Sequence, residues 1–305
     1  MPAEGIHLTS LREAAASPNV PGAMRRSLVR EEDAARFGAV LLDLPYFDAY
    51  AAEVLRYVAK LRPRPSRWGN VVHERAAVPI LHAILDDARR SRSARLAAVA
   101  LGLASHAAID RQLHPLVNAL ARRHPDGRDH DAAHREVEKF HSICFHEAYY
   151  GADRMGTPGI ARVVQVPMRE LFADRVVAQA VTRAFAGAIY DPPSERALAA
   201  MGRGYEQHTA LIASPVGKLV APPAEKEHGR AVFFSGAWGS FDDLLAAAIA
   251  GSVPVLEAVW RVFDADGDDE LDRARAALDA RLGPGSIDTE ASLDVLERPF
   301  SPTLE

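Results

Sequence analysis

Apolar residues recur along most of the chain at three- and four-residue spacing, the period that lines one face of an α-helix. Strict alternation, the strand period, is scarce; 161–166 comes nearest and reads as a short extended connection. The pattern predicts helices over 28–38, 46–61, 76–90, 93–122, 130–150, 168–188, 193–213, 240–262 and 269–281. Breakers separate them: Pro63 and Pro65, the HPDG at 124–127, Gly156 to Gly159, the DPPS at 191–194 and the Pro/Lys/Glu stretch 215–229. Ser194, after two prolines, is placed to start a helix. From Gly283 onward the sequence reads as irregular, and no internal repeat is found. The expected organisation is all-α: a helical domain over 1–215, then a linker and a smaller helical C-terminal region over 216–305, packed on the first.

Bulk composition narrows the classes. At 305 residues, 48% apolar and 25% charged, the chain has the balance of an ordinary globular protein with a substantial core. A formal charge of -5 offers no footprint for duplex nucleic acid. The opening MPAEGIHLTS lacks a basic stretch followed by an apolar run, so no secretory signal is expected. The most apolar stretches, 96–104 and 244–249, are cut short by His106 and Pro254, so no transmembrane segment is expected either. A single cysteine, Cys144, fits a reducing cytoplasm. A metal site, if present, must then be built from His and carboxylates.

Such residues are concentrated. Of twelve histidines, six lie between His106 and His141. His106, Asp110 and His114 stand at i, i+4 and i+8; each four-residue step turns about 40° and climbs about 6 Å, so the three share one helix face. The following helix carries His134, Glu138 and His141 in a second narrow stripe. Two helices joined by a short turn pack antiparallel, so the stripes can meet and bind cations between them. A lone His on a helix is usually a surface or satisfied core residue, and His/Glu at i, i+4 is an ordinary exposed pattern. The stretch LAAVALGLASHAAID is apolar nearly all round, however, and burying His106 and Asp110 without partners costs several kcal/mol. A mixed nitrogen and oxygen set suits zinc, with manganese or iron as alternatives.

The order of these residues resembles the zinc-dependent phospholipase C family, whose all-helical fold also serves single-strand-specific zinc nucleases. That family's ligands run as an N-terminal His, an Asp, a His, a His-x-x-x-Asp pair, a further His and a His-x-x-x-Glu or -Asp pair. Here His7 stands in GIHL, Asp43 in LLDLPYF and His73 in WGNVVHE; His106 with Asp110, His114, and His134 with Glu138 complete the order over 1–150. The resemblance implies a phospholipase C/nuclease-like fold with two or three zinc ions. Asp43, His73, His106 and Asp110 would hold one; His114, His134 and Glu138 a second; His7 and the bridging Asp110 a third. It further implies a metal-activated water as nucleophile, Asp43 as general base, and a small phosphorylated molecule or lipid head group as substrate. The sequence departs from the pattern twice. It begins Met-Pro where the secreted enzymes begin with Trp, and His114 follows Asp110 by only four residues. A non-catalytic, metal-stabilised scaffold and a nuclease on the same fold stand as alternatives.

Other residues have weaker signals. Tyr46, Phe47 and Trp68 flank proposed ligands and fit core packing better than a substrate pocket. His141 fits either a supporting partner or an extra ligand, whereas His146 and Glu147 fall about 120° off the ligand face. His124 and His130 bracket the PDG turn and are expected in solvent. The acidic run at 264–272 does not match an EF-hand, because its glycine falls at the fourth position and Arg275 stands where the bidentate Glu belongs. It reads as a solvated loop leading into the last helix. The segment around His208 carries no usable signal.

Overall fold

A computed structural model describes residues 4–59, 61, 62, 64–127, 129–220, 222–290 and 293–300. Pro63 and the Met-Pro start lie outside the described residues. The fold is all-α. In chain order it runs α1 (Glu4–Ala16), α2 (Gly22–Arg30), α3 (Glu32–Val40), α4 (Tyr50–Val58), the single turn α5 (Gly69–Val71), α6 (Ala77–Ser91), α7 (Ala94–Arg122) and α8 (His130–Tyr150). It continues with α9 (Pro158–Val164), α10 (Met168–Ala173), α11 (Arg175–Ala188), α12 (Glu195–Ala213), α13 (Pro223–Phe233), α14 (Phe241–Asp264) and α15 (Asp268–Leu282). A two-residue antiparallel pair, Ser235–Gly236 with Gly239–Ser240, turns the chain before α14.

Helix α7 is the axis of the molecule. Its start is capped by Ser93, whose hydroxyl accepts from the Leu96 amide, and almost every residue along it is buried. It packs chiefly against α3, α14, α6 and α8. Two glycines allow α3 to come unusually close: a Cβ on Gly102 would lie 1.9 Å from the Ala35 carbonyl oxygen, and one on Gly38 would lie 2.0 Å from that of Val99. This backbone-to-backbone approach sets the turn after α3, and with it Asp43, against the middle of α7. Helix α8 begins at the cap Asp129, which accepts from Ala132, and ends at Gly151 with a positive φ of 63°.

Local chemistry explains where the elements differ from the sequence pattern. The expected 28–38 helix covers the end of α2 and most of α3, broken at Glu31. Asp174 caps a new helix inside 168–188, accepting from Val176 and Val177, which divides that span into α10 and α11. The stretch 161–166 is largely helical, because Thr157 caps and Pro158 occupies the first helical position. The same N-terminal role for Pro223 opens α13 inside 215–229, which is no plain linker. Among the described residues of 46–61, Tyr50–Val58 is the α-helical part, after a 3-10 turn at Leu44–Phe47. Helix α1 has no sequence counterpart, since it is buried on nearly every side and shows little periodic contrast.

The main apolar core includes residues from α3, α6 and α7 together with Val253, Val259, Leu278 and Ile287, so it runs through both halves of the chain. Pro254 shortens the apolar run in the sequence without breaking α14. Among the described residues, α14 is long and apolar enough to cross a membrane by length and composition, with a mean hydropathy of 1.5 over 18 residues. Of that window, 56% is buried inside the fold.

Candidate metal centre

Four separate elements converge on one face of α7. His106, Asp110 and His114 project from α7, His134 and Glu138 from α8, and His7 from α1. Asp43 sits in the turn after α3, and His73 in a π-helical turn, Val72–Ala76, of the kind that often re-aims a functional side chain. Among the described residues, three groups have ligand atoms within 4.8 Å of one another: His7, His106 and Asp110; Asp43, His73 and His106; and His114, His134 and Glu138. All eight residues expected as ligands are therefore gathered in one cluster, and a metal ion could be held there.

The separations within the cluster are informative. Ligands about 2.0–2.1 Å from a tetrahedral ion lie about 3.3 Å from one another, longer than the roughly 2.9 Å of a hydrogen bond. His73 Nε2 is 3.3 Å from Asp43 Oδ1 and 3.7 Å from Asp110 Oδ2. Glu138 Oε1 is 3.5 Å from both His114 Nε2 and His134 Nε2. Asp110 Oδ1 is 3.2 Å from His7 Nε2 and 3.6 Å from His114 Nε2. These separations are of the length that the edges of a coordination polyhedron would have. The exception is His106 Nε2, 2.9 Å from Asp110 Oδ2, and it lacks the alignment of a hydrogen bond. Asp110 presents one oxygen to each half of the cluster and is the natural bridge.

The outer nitrogens fix which edge of each ring faces inward. His73 Nδ1 donates to the Gly69 carbonyl at 2.9 Å, and His106 Nδ1 donates to that of Ala39 at 2.8 Å. A carbonyl can only accept, so each Nδ1 carries a proton, and in the neutral ring Nε2 offers the lone pair. His134 Nδ1 is 2.9 Å from Asn118 Oδ1, and Asn118 in turn donates to Asp288 at 2.7 Å. Asp288 Oδ1 stands 3.1 Å from His114 Nδ1, an ion-pair distance although not aligned as a hydrogen bond. It comes from a strap over 283–290: the Ile287 amide donates to the His73 carbonyl, and Arg111 donates to the carbonyls of Pro284, Gly285 and Ser286.

Electrostatics bind the cluster together. Burial opposes charge on His106, but Asp110 and Asp43 outweigh it and raise its pKa to about 9. Burial likewise opposes charge on His114, where Asp110, Asp288 and Glu138 prevail and hold it well above the usual imidazole range. His73 is raised by Asp43 against the same opposition. For Asp110 and Glu138 burial favours the neutral acid, yet neighbouring imidazoles hold both well below the usual carboxylate range. His7 goes the other way: burial, then repulsion from the His106 ring stacked 3.8 Å away, lowers it to about 4. Exposure rises from His106 at 0% to side-chain values of 17% at Glu138 and 36% at Asp288, so the cluster opens on the α8 and strap side.

The remaining expectations divide. Phe47 and Trp68 are core residues, the indole donating to the Asp191 carbonyl, while half-buried Tyr46 lies 5.6 Å from the His73 ring. His141 joins none of the three groups. Glu147 pairs with Lys226 and Arg230, and His146 packs on Gly5, both away from the ligands. His130 is exposed as expected, but His124 is not in solvent: it is buried with its ring 5.5 Å from that of Phe233. His208, silent in the sequence, holds a buried chain with Glu4 at 2.7 Å and Tyr50 at 3.0 Å that pins the first turn of α1, and so His7. Asn118 and Asp288 were not singled out by pattern; a carboxylate in an aperiodic tail has no helical register to point it anywhere.

No family model, no curated protein and no solved structure matches this chain.

Proposed function

We propose that the protein is a metal-dependent hydrolase of phosphoesters, zinc by preference, acting on a small phosphorylated molecule or lipid head group. The observation that carries the reading is the shared carboxylate of Asp110 between two sets of inward-facing imidazoles and carboxylates. Asp43, His73, His106 and Asp110 would hold one ion; His114, His134 and Glu138 a second; and His7 with Asp110 a third. When bound, the ions supply Lewis acidity that lowers the pKa of water and neutralises charge on a phosphoryl group. Four carboxylates stand in or against the cluster, Asp43, Asp110, Glu138 and Asp288. Two divalent ions would cancel their charge, and a third would leave the site cationic, suited to an anionic ester. Asp43 has one oxygen facing His73 and the other, Oδ2, buried without a hydrogen-bond partner among the described residues, where it can accept a proton. The ordered ligand set also supports the resemblance to zinc-dependent phospholipases C.

Turnover of p-nitrophenyl phosphoryl esters by zinc-loaded protein, abolished in Asp110→Asn, is the expected result. A fully loaded wild type inert towards phosphomonoesters, phosphodiesters and phospholipids would overturn it. One observation favours a second reading, a metal-stabilised scaffold: the cavity beside the ligands measures only about 20 Å³. In that case chelation would lower Tm steeply while no ester is turned over.

A further inference from the structure

We propose that the cavity beside the ligands holds one ordered water, and that His141 orients it as a neutral hydrogen-bond acceptor. The role assigned to that water rests on the hydrolase reading. His141 lies on α8 one turn after Glu138 and is 1% exposed. Its Nε2 is 2.6 Å from the Phe233 carbonyl oxygen. That oxygen can only accept, so the proton sits on Nε2, and Nδ1 is left as a bare lone pair. Nδ1 has no hydrogen-bond partner among the described residues. The ring cannot swing to find one, because Phe241 stacks on its face at 4.0 Å with an interplanar angle of 18°.

The cavity supplies what Nδ1 lacks. Its volume of about 20 Å³ is room for a single water. His141 lines it together with His7, Asp110, His114 and Glu138, and the rest of its wall is apolar. A buried acceptor without a partner is destabilising, and a water donating to Nδ1 removes that penalty. That water has a second hydrogen for a carboxylate and lone pairs directed at the ligand cluster. His141 is thereby distinct from the ligands: it joins no ligand group, yet it faces the same small space. Burial lowers its pKa to about 4, so the acceptor stays available around neutrality. The result is a positioning residue for the water that would attack phosphorus.

Two substitutions separate this role from packing. Gln places its amide nitrogen near the position of Nε2, so His141→Gln keeps the donor to Phe233 and removes the acceptor. Asn places an amide oxygen near Nδ1 and loses the donor. The Gln variant should keep its Tm and zinc content while kcat falls about 10- to 100-fold at unchanged KM. The Asn variant should lose Tm and retain more kcat than Gln. Independently of activity, the nitrogen-15 resonance of Nδ1 in zinc-loaded protein should show a hydrogen-bonded lone pair. A bare Nδ1 resonance, or a Gln variant with wild-type kcat, overturns the proposal. A hydrogen-bonded Nδ1 in a protein that turns over no ester would leave the water in place and sink only the hydrolase reading.

Discussion

Binding of zinc should expel protons from the cluster, and the number expelled can be worked from the charge state of the rings. An imidazole must be neutral to ligate. An ordinary imidazole with a pKa near 6.5 is about one-quarter protonated at pH 7, so five such rings would release about one proton in total. In this protein His106, raised to about 9 by Asp110 and Asp43 against the opposition of burial, is essentially fully protonated at that pH. His114 is held well above its usual value and His73 is raised too. Filling the cluster should therefore displace about two protons or more at pH 7. The overall affinity for filling the cluster should then fall about a hundredfold for each pH unit lowered near neutrality, which is about tenfold for each of two ions. The assay is calorimetric titration of chelator-stripped protein in buffers of different ionisation enthalpy, where the slope of heat against ionisation enthalpy counts protons. A count of one or fewer at pH 7 would show that the carboxylates do not charge the rings, and the electrostatic account of the cluster would be wrong.

Chelated protein should be most stable near pH 6.5. Its raised rings, His106, His114 and His73, contribute stability that is fully present below about 6.5 and lost as pH rises through their raised values, about 9 for His106. Its buried neutral rings, His7 and His141, lose stability as pH falls from about 6.5 towards 4. Zinc-loaded protein should instead grow more stable with pH up to about 9, and melting curves with and without chelator should diverge; parallel curves would contradict the assignment. Asp288→Asn should weaken zinc at the His114 group by about 10- to 100-fold in a chelator competition, leaving the Asp43 group intact; equal affinities would remove Asp288 from the site. Gly102→Ala drives a Cβ into the Ala35 carbonyl and should cost about 1–3 kcal/mol or more. It should also lower zinc content by moving Asp43 away from His106, and unchanged Tm and zinc would show that the α3–α7 seam gives freely.

Much of the site was legible in sequence because helices convert spacing into direction. His106, Asp110 and His114 could be assigned one face from i, i+4 and i+8 alone, and the same logic paired His134 with Glu138. The helices carrying them, α7 and α8, are long, and their ends lie close to the predicted bounds. His7, Asp43 and His73 came from ordered resemblance, since a helix, a turn and a π-helical turn meet only through tertiary packing. Asn118 continues the α7 stripe one turn beyond His114 and was legible by the same spacing, although an amide is no metal ligand of the expected set. What no periodicity encodes is Asp288 in a strap and the Glu4–His208–Tyr50 chain. His124 was placed in solvent because it neighbours a turn, yet Phe233, from a helix that the pattern missed, covers it.

Anomalous diffraction at the zinc edge from crystals of zinc-reconstituted protein tests the central claim directly. The account predicts one peak within bonding distance of Asp43, His73, His106 and Asp110, and another within bonding distance of His114, His134 and Glu138. Protein that refuses zinc, or binds it elsewhere while these side chains keep to one another, would contradict it.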